Sequence, residues 1–255
     1  MTTMFDRDHA RALDANDPLS AFRDHFELPG RADGRPQAYF AGNSLGLLPK
    51  RSRVAVDRVL DTWSSRAVAG HFEGDEPWYR YDEPIAALQA PLVGARPHEV
   101  ALLGSLTVDL HLLMASFYRP SGRRRKILIE PHAFPSDRYA VGTQVRWHGG
   151  DPATDVVTIA AADPDRVTTE DLARTLEVHG DEVALALIGG LNYYTGQFLE
   201  LEGMASALRA RGIVVGYDLA HVVGNVPVQL HDWGVDFAAW CTYKYLNSGP
   251  GSLAG

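Results

Sequence analysis

Cys241 is the single cysteine in the 255-residue chain. No disulfide can close within it, and a reducing, cytoplasmic setting is the expectation. No apolar run approaches the roughly 20 residues that span a bilayer. The N-terminal stretch Met1-Thr-Thr-Met-Phe-Asp6 lacks the apolar core of a secretory signal. Basic residues are outnumbered, 24 Lys and Arg against 32 Asp and Glu, for a net charge of −8. An acidic surface argues against nucleic acid or an anionic membrane as the main partner. The one basic run, Arg123-Arg-Arg-Lys126, precedes Ile127-Leu-Ile129 and reads as the solvated start of a strand rather than a binding patch. The metal-ligand spacings HExxH and CxxC are missing, as is a Walker loop. Resident metal and nucleoside triphosphate chemistry therefore have no support, and Cys241, inside an apolar run, reads as a small core residue rather than a nucleophile.

Hydrophobic residues make up 45% of the chain, enough for a sizeable core. The first forty residues are polar and rich in breakers such as Asp17-Pro18 and Pro29-Gly30, which predicts an N-terminal arm over 1–40 followed by a domain over 41–255. Helical spacing of Val56, Val59, Leu60 and Trp63 predicts a helix over Lys50–Ala69. Beyond Tyr81 the pattern alternates. Helices are expected near 84–93, 108–118, 136–146, 169–178 and 201–211. Strands are expected at 100–103, 126–130, 155–160, 183–188 and 213–217, with a last apolar run over 235–240. Strands alternating with helices of this length predict an α/β fold: three αβα layers around a mostly parallel sheet with right-handed crossovers. Runs such as Leu185-Ala-Leu-Ile188 lack polar alternation, as strands buried on both faces do.

Ligands of such sheets bind at the carboxyl ends of the strands, where the candidate residues fall. Lys244 follows the apolar run and precedes Gly249-Pro-Gly251. A lysine there is commonly a solvated loop residue, but flanked by Trp240, Tyr243 and Tyr245 it is partly desolvated, which favours a nucleophilic amine. Asp218 closes Ile213-Val-Val-Gly-Tyr217 and either caps the next turn or binds a ligand; His221 lies three residues on. A buried lysine with such an acid supplies the covalent anchor and the pyridinium partner that pyridoxal phosphate needs. Gly104-Ser-Leu-Thr107 opens a helix and could hold a phosphate, although Ser105 or Thr107 could equally cap that helix with no ligand. Phe134-Pro-Ser-Asp137 offers an aromatic ring for stacking on a planar cofactor, or merely a hydrophobic staple. Asn192-Tyr-Tyr-Thr-Gly-Gln197 adds polar atoms after the strand at 183–188. Spacing alone argues no role for His71.

Together, Gly42-Asn-Ser-Leu-Gly46, Gly70-His71 with Pro77-Trp78, Leu106-Thr-Val-Asp-Leu-His-Leu-Leu-Met114 and Pro131-His-Ala-Phe-Pro-Ser-Asp137 resemble segments of the kynureninases, pyridoxal-phosphate enzymes of fold type I. Tyr194-Thr-Gly-Gln197, Asp218-Leu-Ala-His221, His231-Asp-Trp-Gly234 and Tyr243-Lys-Tyr-Leu-Asn247 extend the resemblance to most of the chain. It implies that Lys244 anchors the cofactor covalently and moves the Cα proton. Asp218 would pair with the pyridinium nitrogen, with Asp137 nearby, and Phe134 would stack on the ring. Leu106, Thr107 and Tyr243 would hold the phosphate, His221 would lie beside the cofactor, and His71 would face the substrate's aromatic ring. The implied reaction is hydrolysis of L-kynurenine to anthranilate and L-alanine in tryptophan catabolism, a route that also feeds NAD biosynthesis. The 3-hydroxy substrate is the alternative, and the enzyme would be a homodimer with its site at the interface. A cysteine desulfurase, another class V-like enzyme or a non-catalytic remnant are the competing readings. Gly189-Gly190 stands where some members bring a hydroxyl to the cofactor, so no contact is assigned there.

Family members are longer. The resemblance implies that the small C-terminal domain, with the arginine that clamps the substrate carboxylate, lies beyond residue 255. The chain by itself is therefore expected to show little or no turnover of L-kynurenine. Size-exclusion chromatography coupled to an assay checks this, and a stable, monodisperse, active protein of this length would refute it.

Overall fold

The computed structural model describes residues 6–255. The chain divides into two compact units, Met1–Tyr79 and Arg80–Gly255. The expected arm falls within the first, which carries helices α1 (Arg7–Asn16) and α2 (Ser52–Arg66). Helix α1 was not anticipated. Its start is signalled by Asp6, whose side chain accepts the His9 N–H at 2.7 Å. Helix α2 forms where the spacing predicted, but Ala67–His71 tightens into a 3₁₀ turn, and no residue of α2 is fully buried.

The second unit has the expected three layers. After α3 (Asp82–Gln89) and α4 (Leu106–Phe117), strands and helices alternate through β1 (Lys126–Ile129), α5 (Pro135–Trp147), α6 (Pro152–Asp155) and β2 (Val156–Thr158). They continue through α7 (Thr169–His179), β3 (Val183–Gly189), α8 (Leu201–Arg209), β4 (Val214–Asp218), α9 (Leu230–Trp233) and β5 (Phe237–Ala239). The sheet order is β2-β1-β3-β4-β5, and every pairing of these strands is parallel.

Period-2 alternation sends successive side chains to opposite faces. Leu128, Ala186, Ile188, Val215 and Tyr217 pack with Leu172 and Leu176 of α7 and Met204 and Leu208 of α8. Ile127, Ile129, Leu185, Leu187 and Phe237 pack on the other face with Leu110 and Met114 of α4 and Val141 and Val145 of α5. A sheet covered on both sides explains why its strands lack polar alternation.

Two expected elements need correction. Residues 100–103 form no strand; only Leu103 pairs, in a single antiparallel bridge to Ala254. One bridge is too short for a ladder, although the residues' apolar character suited a buried strand. Asp155, expected to open a strand, instead ends α6, where its carboxylate takes the Arg125 guanidinium at 3.0 Å. The basic run is likewise absorbed internally. Arg124 donates to the carbonyls of Arg211 and Gly212, and Lys126 pairs with Glu182 at 2.8 Å. The last residues extend the sheet beyond β5: Trp240 and Gly255 exchange backbone hydrogen bonds of 2.9 Å, and Ala254 bridges both Cys241 and Leu103.

Gly216 in mid-β4 leaves room for the Phe237 ring, which a Cβ there would overlap. Gly216→Ala is expected to lower unfolding free energy by about 1–3 kcal/mol through overpacking, read from urea denaturation midpoints.

Candidate functional site

Parallel strands all exit at one edge of the sheet, so β1, β3, β4 and β5 deliver the residues that follow them to one place. A cavity of about 290 Å³ opens there. Register sets its floor: Gly189 at the end of β3 pairs with Asp218 at the end of β4, and Asp218 pairs with Ala239 at the end of β5.

Lys244 reaches this cavity from the turn after β5 and is only 8% exposed. Its Nζ lies 2.8 Å from Nε2 of His221, which comes from the turn after β4. The lysine turn is pinned from behind. The Thr242 hydroxyl bonds the Leu253 carbonyl at 2.6 Å and joins the Ser248 and Ser252 hydroxyls. Trp240 anchors its start by donating its indole N–H to Gln89 at 2.8 Å.

Asp218 is 7% exposed, and its carboxylate accepts the Ala220 N–H at 2.8 Å. Asp137, on the first turn of α5 and 4% exposed, is a second acid in the cavity, and its carboxylate accepts the Ser136 hydroxyl at 3.2 Å. Burial, then the Asp218 charge, push the Asp137 carboxyl far above the usual carboxylate range. Glu130, directly after β1 and 3% exposed, is a third acid on the same wall. Its carboxylate accepts the Gly189 N–H at 3.1 Å, and burial raises its pKa from 4.5 to about 7.

The N-terminus of α4 lines the same cavity. Ser105 occupies the N-cap position in an extended conformation but makes no capping bond with its side chain. The Asp109 N–H is satisfied by the Ser105 carbonyl at 2.8 Å. The earlier amides of a first helical turn, here those of Leu106 and Thr107, have no intrahelical partner and suit an anion. Ser105, Leu106, Thr107 and Tyr243 all line the cavity.

Phe134 sits at the N-cap of α5 and is 43% exposed, its ring edge-on to Tyr193 at 4.9 Å. The loop that carries Tyr193 is tied to the loop that carries Phe134 by buried Asn192, which donates to the carbonyls of Pro131 and His132. The same side chain accepts the Tyr194 and Thr195 amides.

Lys244, Asp218, His221, Asp137, Phe134, Leu106, Thr107 and Tyr243 thus share one cavity. His71 belongs to the first unit, where it ends the 3₁₀ turn and meets Trp78 edge-on at 5.5 Å. Glu130 lines the cavity without having been singled out from the sequence, whereas Tyr193 and Ser136 do so from within the motifs read there. The signal for Glu130 was available: like Asp218, it is an acid at the end of a largely apolar strand. A buried amine, a facing acid pair, an exposed ring and a helix N-terminus also fit a phosphorylated pyridine aldehyde, the group the sequence resemblance implied.

Residues 92–251 match the aminotransferase class-V family. The chain belongs to that family. It is 53% identical to a kynureninase of Salinispora tropica over 96% of its own length and 58% of the relative's. It is 51% identical to a kynureninase of Xanthomonas campestris over its full length and 60% of the relative's. The chain therefore spans about 60% of the length of these curated relatives. Among solved structures it superposes on an apo cysteine desulfurase from Thermococcus onnurineus with a TM-score of 0.66 at 17% identity, covering 96% of this chain and 55% of that one. At that identity the likeness concerns the fold alone.

The Glu130 carboxyl ties stability to pH. An unfolded carboxyl releases its proton near 4.5, whereas folded Glu130 holds it to about 7. Between those values the native state binds more protons, so stability falls as pH rises, by about 3 kcal/mol in all. Asp137 adds a decline of the same sign that continues above pH 7. Glu130→Gln is expected to remove the first part and keep the second. Denaturation of both proteins at about pH 4.5 and 7.5 would show this, and an unchanged slope between them would refute the assignment.

Proposed function

We propose that this chain is the cofactor-binding part of a kynureninase, a pyridoxal-phosphate enzyme that hydrolyses L-kynurenine to anthranilate and L-alanine. The observation that carries the reading is the buried Lys244 amine, sharing a small cavity with Asp218 and the N-terminus of α4. The names of relatives about half identical over this whole chain supply the substrate.

Pyridoxal phosphate, when bound, supplies an electron sink for carbanions formed at the substrate's Cα and Cβ. The chain's own residues do the rest. The α4 N-terminus, with Thr107 and Tyr243, holds the phosphate. Asp218 accepts the ring nitrogen's proton in a hydrogen bond, with Asp137 beside it in the same cavity. Phe134 covers one face of the ring, held upright by Tyr193. Lys244 anchors the cofactor and then carries protons at the substrate's Cα; its contact with His221 gives the amine a neighbour that can take or return a proton. His71 is assigned to the substrate's aromatic ring by the family pattern. Cys241 supplies no competing thiol chemistry, because it is 3% exposed and burial raises its thiol further from ionisation.

A homodimer in the cytoplasm completes the reading. The exposed apolar side chains of α2, Val56, Leu60 and Trp63, 50–64% accessible, support the dimer, and the lone buried cysteine suits the compartment. Among the described residues no helix is long and apolar enough to cross a membrane. Residues 1–40 are assigned to an arm and 41–255 to the large domain.

Addition of pyridoxal phosphate is expected to produce a visible absorbance band that Lys244→Ala lacks. Borohydride should fix the label at Lys244, to be located by peptide mass analysis. Labelling that persists in Lys244→Ala, or no band at all, would overturn the cofactor reading. Release of anthranilate from L-kynurenine, followed by its fluorescence, tests the substrate.

A further inference from the structure

Gly189 has so far had no reason to be glycine. Its φ is not among the positive values of the chain, so no turn demands it. The reason is a neighbour. A Cβ built on Gly189 would stand 2.7 Å from Oε1 of Glu130, whose other oxygen takes the Gly189 N–H at 3.1 Å. The Glu130 carboxyl therefore fills the space in which any side chain at 189 would project toward the cavity. Both residues line that cavity, with Asp137 and Asp218 on the same wall.

We propose that Glu130 is a positioning residue whose charge adds to that of the Asp137–Asp218 pair to hold the proton on the ring nitrogen, and that Gly189 is glycine to admit it. The inference rests on the reading that the cavity takes pyridoxal phosphate. It extends that reading to a residue outside the set that touches the cofactor.

The charge argument follows from what faces Glu130. From β3 comes the Gly189 N–H; from α5, Asp137 and Arg138; from β4, Asp218. Lys244, His221 and Tyr243 line the same cavity from the turns beyond β4 and β5. Three acids so buried cannot all ionise cheaply. With its proton on, Glu130 is neutral, and the negative charge that meets a cationic ring nitrogen resides on the pair. With its proton off, Glu130 adds a second negative charge behind the pair and holds a proton more firmly on the ring nitrogen. Its carboxyl loses that proton near pH 7, so the added attraction switches on within the working range of a cytoplasmic enzyme.

Glu130→Gln separates charge from shape. Glutamine keeps an oxygen for the Gly189 N–H and is neutral at every pH, as Glu130 is at low pH. Pyridoxal phosphate affinity of the purified protein is read from the visible band at about pH 6 and about pH 8.5. Wild type and Glu130→Gln are expected to bind alike at the lower pH, and the variant about tenfold more weakly at the higher, one pKa unit of coupling. An equal loss at both values would mark Glu130 as merely structural, and equal affinities at both would show that its charge is not felt; either overturns the proposal.

A second pair of variants tests the space argument without relying on Glu130→Gln folding. Gly189→Ala should weaken cofactor binding in the otherwise native protein. It should cost little more in a Glu130→Ala background, where no carboxyl is left to displace. Additive losses would overturn the coupling. Wild-type protein that binds no cofactor at either pH would fail the cofactor reading, and this inference with it. Normal wild-type binding with pH-independent variants fails this inference alone.

Discussion

The parallel alignment of the strands is the constraint on which the rest depends. Because β1, β3, β4 and β5 run the same way, each ends at one edge of the sheet, and the residue after each end is delivered there without a dedicated loop. Glu130, Gly189 and Asp218 come to the ends of three successive strands of the sheet for that reason, although far apart in the chain. Helix α4, packed across one face through Leu110 and Met114, presents its N-terminus to the same opening. The helix N-terminus, the acids and the lysine turn thus line one cavity.

Burial gives this arrangement its chemistry. A carboxyl taken from water ionises less readily, and burial raises the carboxyls of Glu130 and Asp137. The contacts around them are local: the Lys244 amine lies against His221, and the Glu130 carboxylate accepts a backbone N–H. A wall of such carboxyls costs stability in the free protein and suits a cationic ring nitrogen, so the site is built for a ligand more than for the fold. The turn that carries Lys244 shows the same division of labour. Its hydroxyl cluster and the Trp240 anchor contribute nothing to the cavity directly and keep the amine where it is.

Much of this was legible in the linear pattern. Alternating apolar runs identified the sheet and its covering helices, since strands buried on both faces leave an unbroken apolar signature. Lys244, Asp218, Phe134 and Thr107 could be singled out because each follows or opens such an element. The pattern misled where apolar character was separated from pairing. Residues 100–103 look like a strand and make one bridge, because a strand exists only where a partner does. Helix α1 was overlooked because Leu13 is its only large apolar side chain and it is signalled chiefly by its cap.

The amino-acid sequence by itself determined the layered α/β class, the element order and the residue types available for chemistry, all local consequences of hydrophobic periodicity and turn composition. Only the tertiary structure decided that Glu130 joins the acid wall and that Gly189 makes room for it. Both follow from the register between β1 and β3, and register depends on packing between segments that no local pattern encodes. The raised pKa values of Glu130 and Asp137 were decided at the same level, because they depend on how deeply each carboxyl lies and which other acid is near it.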